Sequence, residues 1–85
     1  MTNDSYLLGF VLASEYRKKV MLSLQDKALT PSMISEKTKL YPSHVSNTLN
    51  ELVEKKLVVC LTPKLKKGRL YELTKEGHKI LEKLF

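Results

Sequence analysis

Two helix starts that lie very close together constrain the fold more than any other feature of the sequence. In "TPSMISEKTKL", Thr30 is placed to cap a helix and Pro31 takes the first helical position, so the segment predicts a short helix over about residues 31–38. In "YPSHVSNTLNELVEKKL", Pro42 starts another helix only a few residues later. Two helices joined by so short a turn must cross at a large angle, which is the geometry of a helix-turn-helix.

The second of these helices has an apolar side and a polar side. Its predicted core-facing side has apolar residues at helical spacing, namely Val45, Leu49, Leu52 and Val53. Its other side carries short uncharged hydrogen-bonding side chains, and these are the candidate base-reading residues Ser43, His44, Ser46, Asn47 and Asn50. An asparagine can form paired hydrogen bonds with an adenine edge in the DNA major groove. A solvated helix face would look similar, but the position after a tightly turned partner helix favours base reading.

The flanking segments predict four further elements. "SEYRKKVMLSLQDK" predicts an amphipathic helix whose apolar side consists of Tyr16, Val20, Met21 and Leu24. The preceding "SYLLGFVLA" is apolar nearly all round, so its periodicity fits a buried strand as well as a helix that contains Gly9. "LVVCLTP" and "RLYEL" predict two strands around a short glycine loop, which make a β-hairpin. Thr74 then caps a C-terminal helix over residues 74–85.

The tip of the predicted hairpin is strongly basic, because every charge between Glu54 and Glu72 is positive. The candidate phosphate-binding residues there are Lys64, Lys66, Lys67 and Arg69, and Gly68 permits the tight turn that presents them. Charges at a hairpin tip also keep strand edges soluble, but mixed charges would serve that purpose equally well. Thr30 and Ser32 are further phosphate candidates, because they lie at the amino end of a helix.

Composition narrows the class of partner. A net charge of +6 favours a polyanion, which is either nucleic acid or an anionic membrane surface. The apolar run Tyr6 to Ala13 is far shorter than the roughly 20 residues of a membrane span, and neither end carries a long cationic amphipathic stretch. We therefore expect a cytoplasmic protein without a membrane partner.

No chemistry beyond binding is indicated by the sequence. A single cysteine, Cys60, excludes an internal disulfide and is expected to be a buried small hydrophobic residue. With His44 and His78 on different elements it makes no recognisable metal site. Catalytic motifs are absent as well, so we expect no enzyme, no cofactor and no identifiable small-molecule effector.

The segment from Thr30 to Leu81 resembles the winged helix-turn-helix domain of small prokaryotic transcription regulators of the MarR and ArsR type, especially the compact versions common in archaea. The resemblance covers roughly residues 14–82 and is most specific in "HVSNTLNELVEKKLV" and "KKGRLYELTKEG". It implies an α+β, mostly α, fold with a three-helix core, a β-hairpin wing and a C-terminal helix. Family members often have glycine where Lys39 and Lys56 stand, so a left-handed backbone there would cost about 1–2 kcal/mol at each lysine.

A single domain over residues 1–85 is expected. Its parts are an apolar segment over residues 1–13 that could mediate dimerisation, a helix-turn-helix with wing over residues 14–73, and a C-terminal helix over residues 74–85. The apolar segments "YLLGFVL" and "ILEKLF" exceed what so small a core needs, which predicts a homodimer.

Sequence-specific binding of double-stranded DNA by a transcription regulator is the leading expectation. Residues 42–55 would enter the major groove, and residues 62–69 would contact phosphates or the minor groove. The alternative is a winged-helix interaction module that docks to a protein of the transcription or replication apparatus. Such a module would be expected to carry an apolar or acidic patch on the third helix, whereas this chain has Ser, His and Asn there.

Overall fold

A computed structural model of the protein describes residues 3–84. In that range the chain forms five helices and one antiparallel pair of strands: α1 (Asn3–Leu12), α2 (Glu15–Ser23), α3 (Pro31–Thr38), α4 (Pro42–Glu54), β1 (Val58–Cys60), β2 (Tyr71–Leu73) and α5 (Lys75–Leu84). The predicted fold class is therefore confirmed: α2, α3 and α4 form the three-helix core, the hairpin is the wing, and α5 is the C-terminal helix. The apolar segment that periodicity left undecided is the helix α1.

Local hydrogen bonds set the turn between α3 and α4. The Thr30 hydroxyl accepts the backbone N–H of Met33 at 3.2 Å and so caps α3, and Pro31 follows at the first helical position. Helix α3 ends at Thr38 and is followed by Lys39, which has φ 67°, and the Ser35 hydroxyl donates to the Leu40 carbonyl at 2.6 Å. The turn therefore closes within a few residues.

Lys39 and Lys56, where the resembled family often has glycine, both adopt the left-handed conformation. Their φ angles are 67° and 63°. Each lysine carries a strain of about 1–2 kcal/mol that glycine would avoid.

The hydrophobic core lies where the five helices meet the first strand. Its fully buried side chains are Val11, Val20, Met21, Leu24, Ile34, Val45, Leu49, Leu52, Leu57, Val58 and Ile80. Two residues that were predicted to face this core do not: Tyr16 and Val53 are 40% and 37% exposed. At about 100° per residue, each stands at the edge of its apolar stripe, where the neighbouring helices no longer cover it.

The wing consists of β1, β2 and residues 61–70 between them. Val58 pairs with Leu73 and Cys60 with Tyr71, while the other edge of β2 is bridged to Leu29. Both strands are only three residues long, so the prediction of two longer strands around a short loop is wrong. Leu61, which is 46% exposed, continues the apolar pattern of the strand into a loop that does not bury it.

Within the wing, Cys60 is half-buried against the core rather than fully buried as predicted. Its partial burial follows from its place in the strand. Cys60 is the last residue of β1, next to the loop of residues 61–70.

Helix α1 belongs to the same packed unit as the rest of the chain. It lies against α2 and α5, and its Leu7 and Val11 are buried in the core. Asp4 forms ion pairs with Lys79 and Lys83 of α5, each at 3.4 Å. A hydrogen bond from Glu76 and these ion pairs hold the pKa of Asp4 below its ordinary value. None of the described helices combines the length and the apolar character needed to cross a membrane.

Candidate nucleic-acid interface

The exposed side of α4 is called the reading face here. It consists of the candidate base-reading residues Ser43, Ser46, Asn47 and Asn50, which are exposed, and His44, which is half-buried. At about 100° per residue, Ser43 and Asn47 lie along its middle. Ser46 and Asn50 lie on one flank and His44 lies on the other, so the reading face has two distinct borders.

On the flank of Ser46 and Asn50, an open groove of about 470 Å³ separates α4 from the wing. It brings together predicted site residues from three parts of the chain: Thr30 and Ser32 of the α3 start, Ser46 and Asn50 of α4, and Lys66, Lys67 and Arg69 of the wing. Helix α3 contributes its amino end, where backbone N–H groups and the helix dipole favour an anion. The other predicted site residues do not line this groove, namely Ser43, His44, Asn47 and Lys64.

The basic residues of the wing fall into two kinds. Lys64, Lys66 and Lys67 are exposed, and Gly68 has φ 68°, a left-handed conformation that glycine adopts without strain. Arg69 instead is half-buried, and its Nε donates a hydrogen bond to the Leu65 carbonyl across the loop. Arg69 therefore helps to hold the loop in shape, whereas the three lysines extend from it.

The opposite flank of the reading face is bordered by aromatic rings. The Tyr16 ring of α2 lies 4.5 Å from the His44 ring, centroid to centroid, and the Tyr41 ring lies 6.0 Å from the same imidazole. We call these three side chains the aromatic row. Because His44 stands between the two phenol rings, it is the least exposed of the predicted base-reading residues.

Arg17 of α2 connects α4 to α1. Its Nε donates to Glu51 of α4 at 3.1 Å, its Nη1 donates to the Phe10 carbonyl at 2.7 Å, and its guanidinium lies 3.8 Å above the Phe10 ring. The Lys55 ammonium adds a second cation 5.5 Å from that ring centroid. The orientation of α4 is therefore coupled to both α1 and α2.

Sequence reasoning missed both Arg17 and Tyr41. The Arg17–Glu51 contact joins residues 34 positions apart, and helical periodicity assigns both residues only to exposed faces. The sequence feature that could have indicated Tyr41 is its position directly before Pro42, the first residue of α4.

Metal-binding chemistry finds no support in the described part of the chain. No group of three or more His, Cys, Asp or Glu side chains is placed there to hold a metal ion.

Comparison with known proteins shows a shared fold. A search of protein-family models found no match, and a search of curated proteins found none either. Among solved structures, HlyU from Vibrio cholerae N16961 superimposes with a TM-score of 0.79 at 25% identity, over 98% of this chain and 89% of that chain. TubR from Bacillus thuringiensis serovar israelensis, bound to 24 bp of tubC, superimposes with a TM-score of 0.83 at 15% identity, over 99% of this chain and 94% of that chain.

A third structure, of a MarR family transcriptional regulator from Silicibacter pomeroyi DSS, has a TM-score of 0.73 at 26% identity. The match covers 95% of this chain and 56% of that regulator, so this chain spans little more than half of its length. The chain thus shares the winged-helix fold of known transcription regulators, as the resemblance implied. These neighbours come from bacteria, and a link to the archaeal versions stays a prediction.

Proposed function

We propose that the protein binds double-stranded DNA sequence-specifically and regulates transcription, with α4 in the major groove and the wing on the flanking phosphates. The observation that carries this proposal is the groove between α4 and the wing. It places hydrogen-bonding Ser46 and Asn50 beside cationic Lys66 and Lys67, with the amino end of α3 at the same groove. Uncharged donors and acceptors read base edges, and cations bind phosphates, so one surface offers both kinds of contact.

The likeness to regulators supports the same proposal. TubR, which shares this fold, is seen bound to DNA, and the Silicibacter protein belongs to the MarR family of transcriptional regulators. A DNA-binding regulator would act in the cytoplasm of a prokaryotic cell, and it would need no catalytic residue. A protein-docking module would be expected to present an apolar or acidic patch instead, but the first two turns of α4 expose serine and asparagine.

Selection of bound duplexes from a random pool tests the function directly. We expect one enriched motif, with half-sites about one helical turn apart if two copies bind. A pool that shows no enrichment, together with binding to a protein of the transcription apparatus, would favour the docking module.

Base reading by α4 gives a first prediction. If Asn50 or Asn47 forms paired hydrogen bonds with adenine, its replacement by alanine should weaken binding to the selected site by about 1–3 kcal/mol and leave random duplex nearly unaffected. The control is Gln25→Ala, because Gln25 is an exposed amide beside α5 rather than on the reading face. Equal losses on both duplexes would mean that the asparagines bind the backbone or hold the fold.

Homodimer formation is the second prediction. Residues Leu7, Val11, Ile80 and Leu81 are used inside the protomer, but Leu12 of α1 remains 51% exposed. We therefore expect Leu12→Glu to shift the chain from dimer to monomer in sedimentation at micromolar concentration, because a buried charge opposes association. A wild-type protein that sediments as a monomer, both free and on DNA, would contradict the prediction.

A further inference from the structure

The aromatic row ends in a ring that lies open to solvent. Tyr41 is 74% exposed, whereas Tyr16 is 40% exposed and His44 is half-buried between them. Tyr41 is also the residue directly before the first turn of α4, and its side chain makes no capping hydrogen bond there. The most exposed ring of the row therefore stands at the end of α4 that would enter DNA.

The two flanks of the reading face are bordered by different kinds of side chain. A major groove is about 12 Å wide and an α-helix with its side chains is about 10–12 Å across, so a helix in the groove lies between the phosphates of both strands. The wing, with Lys66 and Lys67, borders one flank. The aromatic row borders the other flank, where the Tyr41 hydroxyl is a neutral donor. Tyrosine is one of the side chains that donate to phosphate oxygens in protein–DNA complexes.

We propose that the Tyr41 hydroxyl donates a hydrogen bond to a backbone phosphate of the strand opposite the one that the wing contacts. In this arrangement the His44 ring borders Tyr41, and the Tyr16 ring lies against His44. The inference rests on the proposed function and adds a contact to it, on the flank that carries no wing.

The fold makes such a contact inexpensive in entropy. Pro42 restricts the backbone of Tyr41, the residue before it, so less backbone freedom is lost when the hydroxyl binds. The acceptor is an ionised phosphate, and hydrogen bonds to ionised groups are stronger than neutral ones.

Tyr41→Phe tests the inference because it removes the hydroxyl and keeps the ring. We expect binding to weaken about tenfold on the selected site and on random duplex alike, since phosphates carry no direct sequence information. The slope of log affinity against log salt should stay unchanged, because a neutral donor does not replace a counterion. The matched control is Tyr6→Phe, an exposed tyrosine of α1 that should bind as the wild type does.

A scan with single methylphosphonate substitutions locates the contact. Replacement of one phosphate on the strand opposite the wing should weaken wild-type protein and Tyr6→Phe, but have no further effect on Tyr41→Phe. Equal affinities of Tyr41→Phe and wild type, or the same methylphosphonate profile for both, would overturn the inference while leaving the proposed function intact. A wild-type protein that binds no duplex at all would overturn both.

Discussion

Replacement of Gly77 by alanine should lower the free energy of unfolding by about 3 kcal/mol, because overpacking against the backbone cannot be relieved by a side-chain rotation. A Cβ atom at this position would lie 2.1 Å from the carbonyl oxygen of Leu57 and 3.1 Å from its carbonyl carbon. The same oxygen accepts the backbone N–H of Thr74 at 3.0 Å, so its displacement would also disturb the start of α5. Urea unfolding followed by circular dichroism measures the loss, which is a large fraction of the total stability of a small domain.

A second glycine in the same chain provides the control. Gly9 lies inside α1, and a Cβ there would meet no atom within 4 Å. Gly9→Ala should therefore raise the free energy of unfolding by about 1 kcal/mol, as expected for an open helix-interior position. If Gly77→Ala proved as stable as the wild type, α5 would not approach Leu57 as closely as the structure has it.

The largest expected effect on binding comes from the wing. Simultaneous replacement of Lys64, Lys66 and Lys67 by alanine should reduce the slope of log affinity against log salt by about 2.7, because each phosphate that is no longer neutralised lowers it by about 0.9. At 0.1 M salt this corresponds to a loss of affinity on the order of several hundred-fold, on selected and random duplexes alike. Fluorescence anisotropy at several salt concentrations measures both quantities. Arg69 stays unchanged in this variant, because its hydrogen bond to Leu65 supports the loop.

The control for the wing variant must lose the same net charge elsewhere. Lys75, Lys79 and Lys83 all lie on α5, which packs on α1, α2 and β2. Their replacement by alanine should leave the slope almost unchanged. If both triple variants lost the same affinity, binding would depend on net charge alone, and the wing would have no specific part in it.

Local sequence signals explain why the helix-turn-helix could be predicted closely. The Thr30–Pro31 pair and Pro42 each define a helix start through backbone chemistry that does not depend on the rest of the fold, and α3 and α4 begin where these residues predicted. The family pattern, with glycine often at these two positions, marked Lys39 and Lys56 as the places where a left-handed backbone would cost energy, and both lysines are left-handed.

The parts that could not be predicted depend on contacts between distant segments. Leu61 follows the strand pattern although it lies in an exposed loop, so the first strand was predicted to be longer than it is. Helical periodicity placed Tyr16 on the apolar side, but it could not show that its ring stacks on His44 of another helix. The aromatic row and the Arg17 contacts emerge only when α1, α2 and α4 are packed together.

The way Arg17 is held has a practical consequence for anyone who shortens this protein. A truncated chain beginning at Ser14 would retain every helix-turn-helix residue, yet Arg17 would lose the Phe10 ring and carbonyl that fix it in place. The core would also lose Leu7 and Val11, and their partners on α2 and α5 would be exposed to water. The smallest portable unit of this fold is therefore the chain with its first helix, even though that helix lies outside the helix-turn-helix.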